Sequence, residues 1–209
     1  DLTFADRYSF CIIKSNELLK LNNKKLKILG KEFFNDTYLF DQNACSSPHL
    51  IIWYGTNNEI AREKFWSTIC NIVKHEYNLK TISVLDKFSK ICSDAVNLKE
   101  IDSFQNYSNL VYTVMLSSTP HNFHNLRGKC GYFYEYNITD LNDVTDIVNK
   151  KFQTLTYYGL KKSDLHNFVI NNRLTGIDRA VPIGKAMDIS IFWDGYDILG
   201  SLSRIIVLE

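Results

Sequence analysis

Two uninterrupted apolar runs constrain the fold of this chain more than any other feature. Tyr8–Lys14 (Tyr-Ser-Phe-Cys-Ile-Ile-Lys) and Leu50–Tyr54 (Leu-Ile-Ile-Trp-Tyr), the second stopped by Gly55, are too short for buried helices and do not alternate with polar residues. A strand of that kind is buried on both faces, the condition met inside a parallel sheet. Helical periodicity follows the second run. After Gly55, Thr56 and Glu59 have the spacing of a capping box, and Ala61, Phe65, Ile69, Ile72 and Val73 then line one side of a helix. From Thr81 to Val96 a second amphipathic pattern places Leu85, Phe88, Ile91, Cys92 and Ala95 on its expected inner stripe.

The alternation continues along the chain. Leu110–Leu116 and Gly131–Ile138 read as strands, Asp140–Val148 as a short helix capped by Thr139, and Gln153–Tyr158 as a strand. Ser163 caps a helix reaching about Asn171, and Ile177–Ile183 is extended. Repeated strand–helix alternation predicts an α/β fold, a layered αβα domain with a largely parallel sheet whose ligands approach the carboxyl ends of the strands. With 209 residues, 45% of them hydrophobic, the chain has enough apolar material for a substantial core.

Charge and cysteine usage exclude several functions. Lys plus Arg number 24 against 23 Asp plus Glu, so no overall field exists to hold a nucleic acid or an anionic membrane. The basic cluster Lys20, Lys24, Lys25, Lys27 and Lys31 reads as the solvated face of a helix. No stretch is apolar enough for a membrane span and no signal-peptide pattern opens the sequence, which suggests a cytoplasmic protein. Cys11, Cys45, Cys70, Cys92 and Cys130 form no C-x-x-C pair, and His121 and His124 read as part of a polar loop, so no metal site is expected. Neither a dinucleotide fingerprint nor a phosphate-binding glycine loop follows any expected strand.

One cysteine stands apart. Cys45 lies in Gln42-Asn43-Ala44-Cys45-Ser46-Ser47-Pro48, where small neighbours leave room for a carbon electrophile to reach sulfur and Pro48 keeps Ser47 extended. Cys70 and Cys92 fall on apolar helical sides and read as core. His49, four residues after Cys45, is a candidate base that the start of a strand equally turns to solvent.

Three segments resemble one family. Phe40–Pro48 resembles the nucleophile segment of the bacterial acyl-CoA reductases that make fatty aldehyde for bioluminescence, a branch of the aldehyde dehydrogenase superfamily. Phe152-Gln153-Thr154-Leu155 resembles its Gln-Thr strand. Thr175–Ala186, with Trp193–Asp197 and Leu202–Arg204, resembles its C-terminal signature. The resemblance implies that residues 1–209 are the catalytic half, and that an N-terminal dinucleotide-binding half, not in this chain, holds NADPH. It implies reduction of an acyl-CoA or acyl-carrier thioester to aldehyde through an S-acyl-Cys45 intermediate, with hydride from the nicotinamide. Thr3 stands where aldehyde-oxidising relatives carry a water-activating glutamate, which fits reduction; Asp6 is a nearby carboxylate. The Cys45 amide is the implied oxyanion donor, with Asn43 as a local second donor, and Glu135 resembles the cofactor-ribose carboxylate, against its reading as an exposed strand residue. Pro182, Gly184 and Gly195 are expected to fix turns near the carboxyl edge, and Trp193 to pack. Implied partners are the thioester, the cofactor half, a second copy of the chain, or an acyl-activating enzyme. Two other readings stand beside this one: a cysteine hydrolase or acyltransferase without nicotinamide, and a non-catalytic oligomerisation module.

Overall fold

A computed structural model describes residues 2–120 and 122–208. Nine strands and six α-helices occur among them. The strands are β1 (Tyr8–Lys14), β2 (Pro48–Tyr54), β3 (Ile101–Tyr107), β4 (Val111–Leu116), β5 (Tyr132–Ile138), β6 (Phe152–Tyr158), β7 (Arg179–Pro182), β8 (Phe192–Trp193) and β9 (Tyr196–Asp197). The helices are α1 (Ser15–Leu19), α2 (Asn23–Thr37), α3 (Asn58–Glu76), α4 (Thr81–Asn97), α5 (Lys162–Asn171) and α6 (Ile198–Leu202). Seven strands form one sheet in the order β3-β4-β5-β2-β1-β6-β7, and β8 and β9 form a separate hairpin. Every pairing in the large sheet is parallel except β3 with β4.

The two apolar runs become the central strands β1 and β2, paired Phe10 to Leu50 through Lys14 to Tyr54. Because successive side chains leave a strand on opposite faces, each run feeds two cores. Cys11, Ile13, Ile51, Trp53 and Phe133 join Leu26, Phe33, Phe65, Trp66 and Ile69 from α2 and α3. On the other face Phe10, Ile12, Leu50, Ile52, Tyr132 and Tyr134 meet Phe152, Leu165 and Phe168.

Several expected details differ. The edge strand β3 was not expected; all but its end residues Ile101 and Tyr107 are exposed, and it lacks the apolar run that marks a buried strand. The Thr56–Glu59 capping box does not form, because the Thr56 hydroxyl donates to Asn16 Oδ1 at 3.2 Å and left-handed Asn57 takes the N-cap position. Asp140, not Thr139, caps the short 3₁₀ turn Leu141–Asp146, in a capping box with Asp143. In α5 the cap position falls on Lys161 rather than Ser163.

The largest correction concerns α4. Most of its stripe faces outward: Leu85 is 58% and Phe88 59% exposed, Cys92 and Ala95 are exposed too, and of the five only Ile91 packs, half-buried, against the second core. The side turned inward is polar. Lys87 and Asp94 are buried, and Asp94 accepts from the hydroxyls of Tyr132 and Tyr134, both at 2.7 Å. Tyrosine hydroxyls along β5 thus set the helix orientation that hydrophobic periodicity alone reverses. The basic cluster behaves as expected, with Lys20, Lys24, Lys25 and Lys27 at the surface.

Candidate active site

Cys45 lies just before β2, so it stands at the amino edge of the parallel strands and not at the carboxyl edge expected for an open α/β sheet. The connection from α2 brings it there. α2 runs back across one face, a 3₁₀ turn (Tyr38–Phe40) follows, and two left-handed residues, Asp41 (φ 51°) and Gln42 (φ 64°), reverse the chain. Ser47 N–H then bonds to Ala44 O at 2.9 Å, which makes Cys45 the second residue of a tight turn.

Buried polar side chains hold this turn. Gln42 is fully buried; its Nε2 donates to Pro48 O (3.1 Å) and Tyr132 O (3.0 Å), and its Oε1 accepts from Gly131 N (3.2 Å) and Tyr132 N (3.3 Å). The loop is thereby stitched to the start of β5. Ser9 Oγ donates to Cys45 O at 2.6 Å and accepts from Thr154 N at 3.2 Å, joining the turn to β1 and β6 where both pairings of β1 shift register. Ser47 Oγ donates to Asp36 O at 2.8 Å. Cys45 itself is exposed, and its amide makes no backbone hydrogen bond among the described residues. The result is a fixed turn that presents an accessible sulfur beside an unengaged N–H.

The other cysteines differ in kind. Cys11 is buried in the core, and that burial pushes its thiol up to about 12. Cys130 is buried, and Cys70 Sγ donates to Tyr107 O at 3.4 Å. Cys92 is exposed on α4, remote in sequence from any of the loops at the amino edge.

Two clefts open near this edge of the sheet, and Cys45 itself lines neither. One, of about 500 Å³, is lined by Thr154, Arg179, Phe192, Trp193 and Tyr196 with neighbouring polar groups. Its wall is tied down by Gln153 Nε2, which donates to Asp194 Oδ1 at 2.8 Å, and by the Arg7 ion pairs with Asp178 and Asp194. The Arg179 guanidinium sits 4.9 Å over the Trp193 ring. The β8–β9 turn is Asp194-Gly195, both at positive φ (55° and 81°), the two-residue hairpin geometry that favours Asp-Gly. Gly195 therefore lies beside Asp178 at the amino end of β7, not at the carboxyl edge. The second cleft, of about 480 Å³, lies on the β5 side and includes Asp41 and Asn43.

The remaining candidates fall elsewhere. His49 is 4% exposed and stacks on Tyr8 (5.5 Å between ring centroids), so it does not face solvent; no hydrogen bond joins it to Cys45 among the described residues. Burial, then the nearby Arg127 charge, pushes its pKa down to about 4. Asn43 turns its amide N–H groups back to Phe40 O and Asp41 O, at 3.1 and 3.3 Å, as a brace for its own turn. Glu135 is neither exposed nor open to a ribose. It is fully buried, with Oε1 accepting from Trp53 Nε1 (2.6 Å) and Trp66 Nε1 (2.8 Å) and Oε2 paired with Arg62 at 3.1 Å. Asp6 is exposed and pairs with Arg127 at 3.1 Å. His121 lies outside the described residues; His124 is half-buried, and no cluster of three or more metal-ligating side chains occurs among the described ones. No described helix is long and apolar enough to cross a membrane.

Residues 1–205 match the family model for acyl-CoA reductase (LuxC). The chain belongs to that family. The fold is shared more widely. Solved structures similar to this acyl-CoA reductase family chain include a NAD-dependent benzaldehyde dehydrogenase from Corynebacterium glutamicum, at 11% identity and TM-score 0.51 over 85% of this chain and 39% of that one. A variant 1-pyrroline-5-carboxylate dehydrogenase from Thermus thermophilus gives 11% and 0.54 over 91% and 39%. A variant proline utilization A from Bradyrhizobium japonicum gives 8% and 0.58 over 91% and 20%. The architecture is that of aldehyde dehydrogenase catalytic domains, and the chain spans about two fifths or less of the length of these structures. No curated protein matches the sequence.

The three segments that carried the family resemblance converge at one edge of this acyl-CoA reductase family fold. Cys45, the Gln153-Thr154 start of β6 and the Asp178-to-Asp197 region are linked through Ser9, Arg7 and Asp194. Gln42, Ser9 and Asp36 were not singled out as site residues in the sequence. Of these only Gln42 carried a signal, its place in the Cys45 segment, and its partners besides Pro48 are Gly131 and Tyr132, 89 and 90 residues away.

Proposed function

We propose that the chain is the acyl-accepting half of a reductase that converts a fatty acyl thioester to an aldehyde, with Cys45 as nucleophile. The observation that carries this reading is the Cys45 turn, in which an exposed thiol and a free backbone N–H are fixed together by Gln42, Ser9 and Ser47. The Cys45 sulfur adds to the thioester carbonyl, and negative charge moves to oxygen. The Cys45 amide, as an oxyanion donor, is worth about 3 kcal/mol in systems of this kind. The bond to the carrier sulfur then breaks, and the carrier leaves as its thiol with the proton Cys45 has given up. On the β6 side, Phe192, Trp193 and Tyr196 form the apolar part of a cleft otherwise lined by polar groups, and the acyl chain would lie along them.

The chain's own residues do not fit a dinucleotide. β1 runs directly into α1, the β2–α3 turn carries only Gly55, and Glu135 is enclosed. We assign NADPH to an N-terminal half, where it supplies hydride when bound. His49 gives the hydrolase reading no support, since it is buried and stacked on Tyr8.

Incubation with acyl-CoA followed by intact-mass measurement and peptide mapping tests the proposal. One acyl adduct is expected, on Cys45, absent from Cys45→Ala and retained in Cys92→Ala, the other exposed thiol. An adduct that persists in Cys45→Ala, or no adduct at all, overturns it.

A further inference from the structure

The second cleft poses a charge problem that the Cys45 chemistry leaves unused. It is lined by Lys87, Lys90, Arg127 and Lys129 against Asp41 and Asp86. Lys90 and Arg127 are paired with Asp94 and Asp6, which leaves Lys87 and Lys129 as the cations of the cleft without an ion pair among the described residues. Lys87 is the sharper case. The residue is 3% exposed, and its ammonium donates to Asn109 O (2.5 Å), Cys130 O (2.8 Å) and Leu110 O (3.4 Å) and lies 5.0 Å from the Tyr112 ring centroid. No carboxylate pairs with it among the described residues. Buried charges in proteins are normally paired, because desolvation of a lone ion is costly. That desolvation pushes the Lys87 pKa down to about 8.

The donors around Lys87 are only partly used. Arg127 spends Nε on His124 O and Nη2 on Arg7 O and Asp6, while its Nη1 has no hydrogen bond among the described residues. Lys129 is exposed and, like the Ser83 hydroxyl, makes none. Lys90 pairs with Asp94 at 2.6 Å but keeps its ammonium at the cleft. The wall nearest the nucleophile is Asn43, two residues from Cys45, within about 7 Å of chain. The volume of about 480 Å³ is that of a small-ligand site.

We propose that this basic cleft binds the phosphate of the 4′-phosphopantetheine arm that carries the acyl group, the unit shared by coenzyme A and phosphopantetheinylated carriers. The inference rests on the reading of Cys45 as the acyl acceptor. The thioester carbon sits at Cys45, the acyl chain departs toward Phe192 and Trp193 on the β6 side, and the arm runs past Asn43 on the β5 side to its phosphate. There the phosphate supplies the anion that Lys87 lacks and accepts from Arg127 Nη1 and Lys129.

Titration of the intact chain with coenzyme A, 4′-phosphopantetheine and pantetheine, followed by calorimetry, tests the site without any chemistry at Cys45. Both phosphorylated compounds are expected to saturate the chain and pantetheine to bind at least tenfold more weakly. Lys129→Glu, at an exposed position with no hydrogen bond or ion pair among the described residues, is expected to weaken both phosphorylated ligands at least tenfold. Binding by coenzyme A alone would place recognition on its nucleotide end and overturn the proposal, as would equal binding of pantetheine or indifference to Lys129→Glu. A kinetic arm compares Cys45 acylation by acyl-CoA with acylation by the same acyl group on N-acetylcysteamine, which has no phosphate. The ratio of the two rates falls at least tenfold in Lys129→Glu if the phosphate is held here, and an unchanged ratio counts against it. Failure of both donors to acylate Cys45 overturns the proposed function, whereas the binding titration still decides the cleft.

Discussion

Asp36 shows how one residue can tie the Cys45 turn to the rest of the domain. Its carboxylate accepts from Gly184 N at 2.6 Å and Ala186 N at 3.0 Å, while its carbonyl accepts from Ser47. Gly184 has φ 92°, and a Cβ there would come within 2.7 Å of Glu32 Cβ, so glycine is required on both counts. Burial raises the Asp36 pKa to about 6, against the opposing pull of the two amides and Arg179. A carboxyl that binds its proton more tightly when folded favours folding below its unfolded pKa, and that contribution is lost as pH rises through 6. Relative to the wild type, Asp36→Asn should therefore gain stability between pH 4 and pH 7, by up to about 3 kcal/mol. Urea denaturation at pH 4, 5, 6 and 7 measures it. A difference that stays flat or falls across that range would mean that the amides keep the carboxylate ionised.

Among the elements, α4 best separates what the sequence shows from what it hides. Its length and helical character were legible from periodicity, as were the paired apolar strands β1 and β2 and the buried side of α3, where Ala61, Phe65, Ile69 and Val73 are all at 0% exposure. The direction of the α4 stripe was not legible. A helical wheel identifies an apolar side but cannot say what it meets, and here Asp94, Tyr132 and Tyr134 turn the polar side inward. The exposed stripe predicts that Phe88→Ser costs little, within about 0.5 kcal/mol, where a core phenylalanine would cost about 3 to 5 kcal/mol. Chemical denaturation of the variant decides between the two values. A loss above 2 kcal/mol would return Phe88 to the core.

At the scale of the molecule, the site is an edge built from distant segments. Ser9, the turn at residues 42–47, Tyr132, Thr154 and the Asp178–Asp197 region meet at the amino ends of β1, β2, β5, β6 and β7. The Cys45 segment was legible as a candidate because its neighbours are local in sequence, and the C-terminal signature because it is long. The edge was not, since strand periodicity says nothing of which end collects the loops, and the carboxyl-end rule pointed the other way. Gln42 makes the joint testable. Its side chain spans from the Cys45 turn to Gly131 and Tyr132, so Gln42→Ala would leave buried backbone groups on both sides without partners. The expected loss is about 3 kcal/mol by urea denaturation. Acylation of Cys45, measured at a urea-free temperature where the variant is fully folded, should slow at least tenfold, because the amide and sulfur are no longer held in one geometry. Unchanged acylation in a folded but destabilised variant would mean that Gln42 supports the fold without positioning the nucleophile.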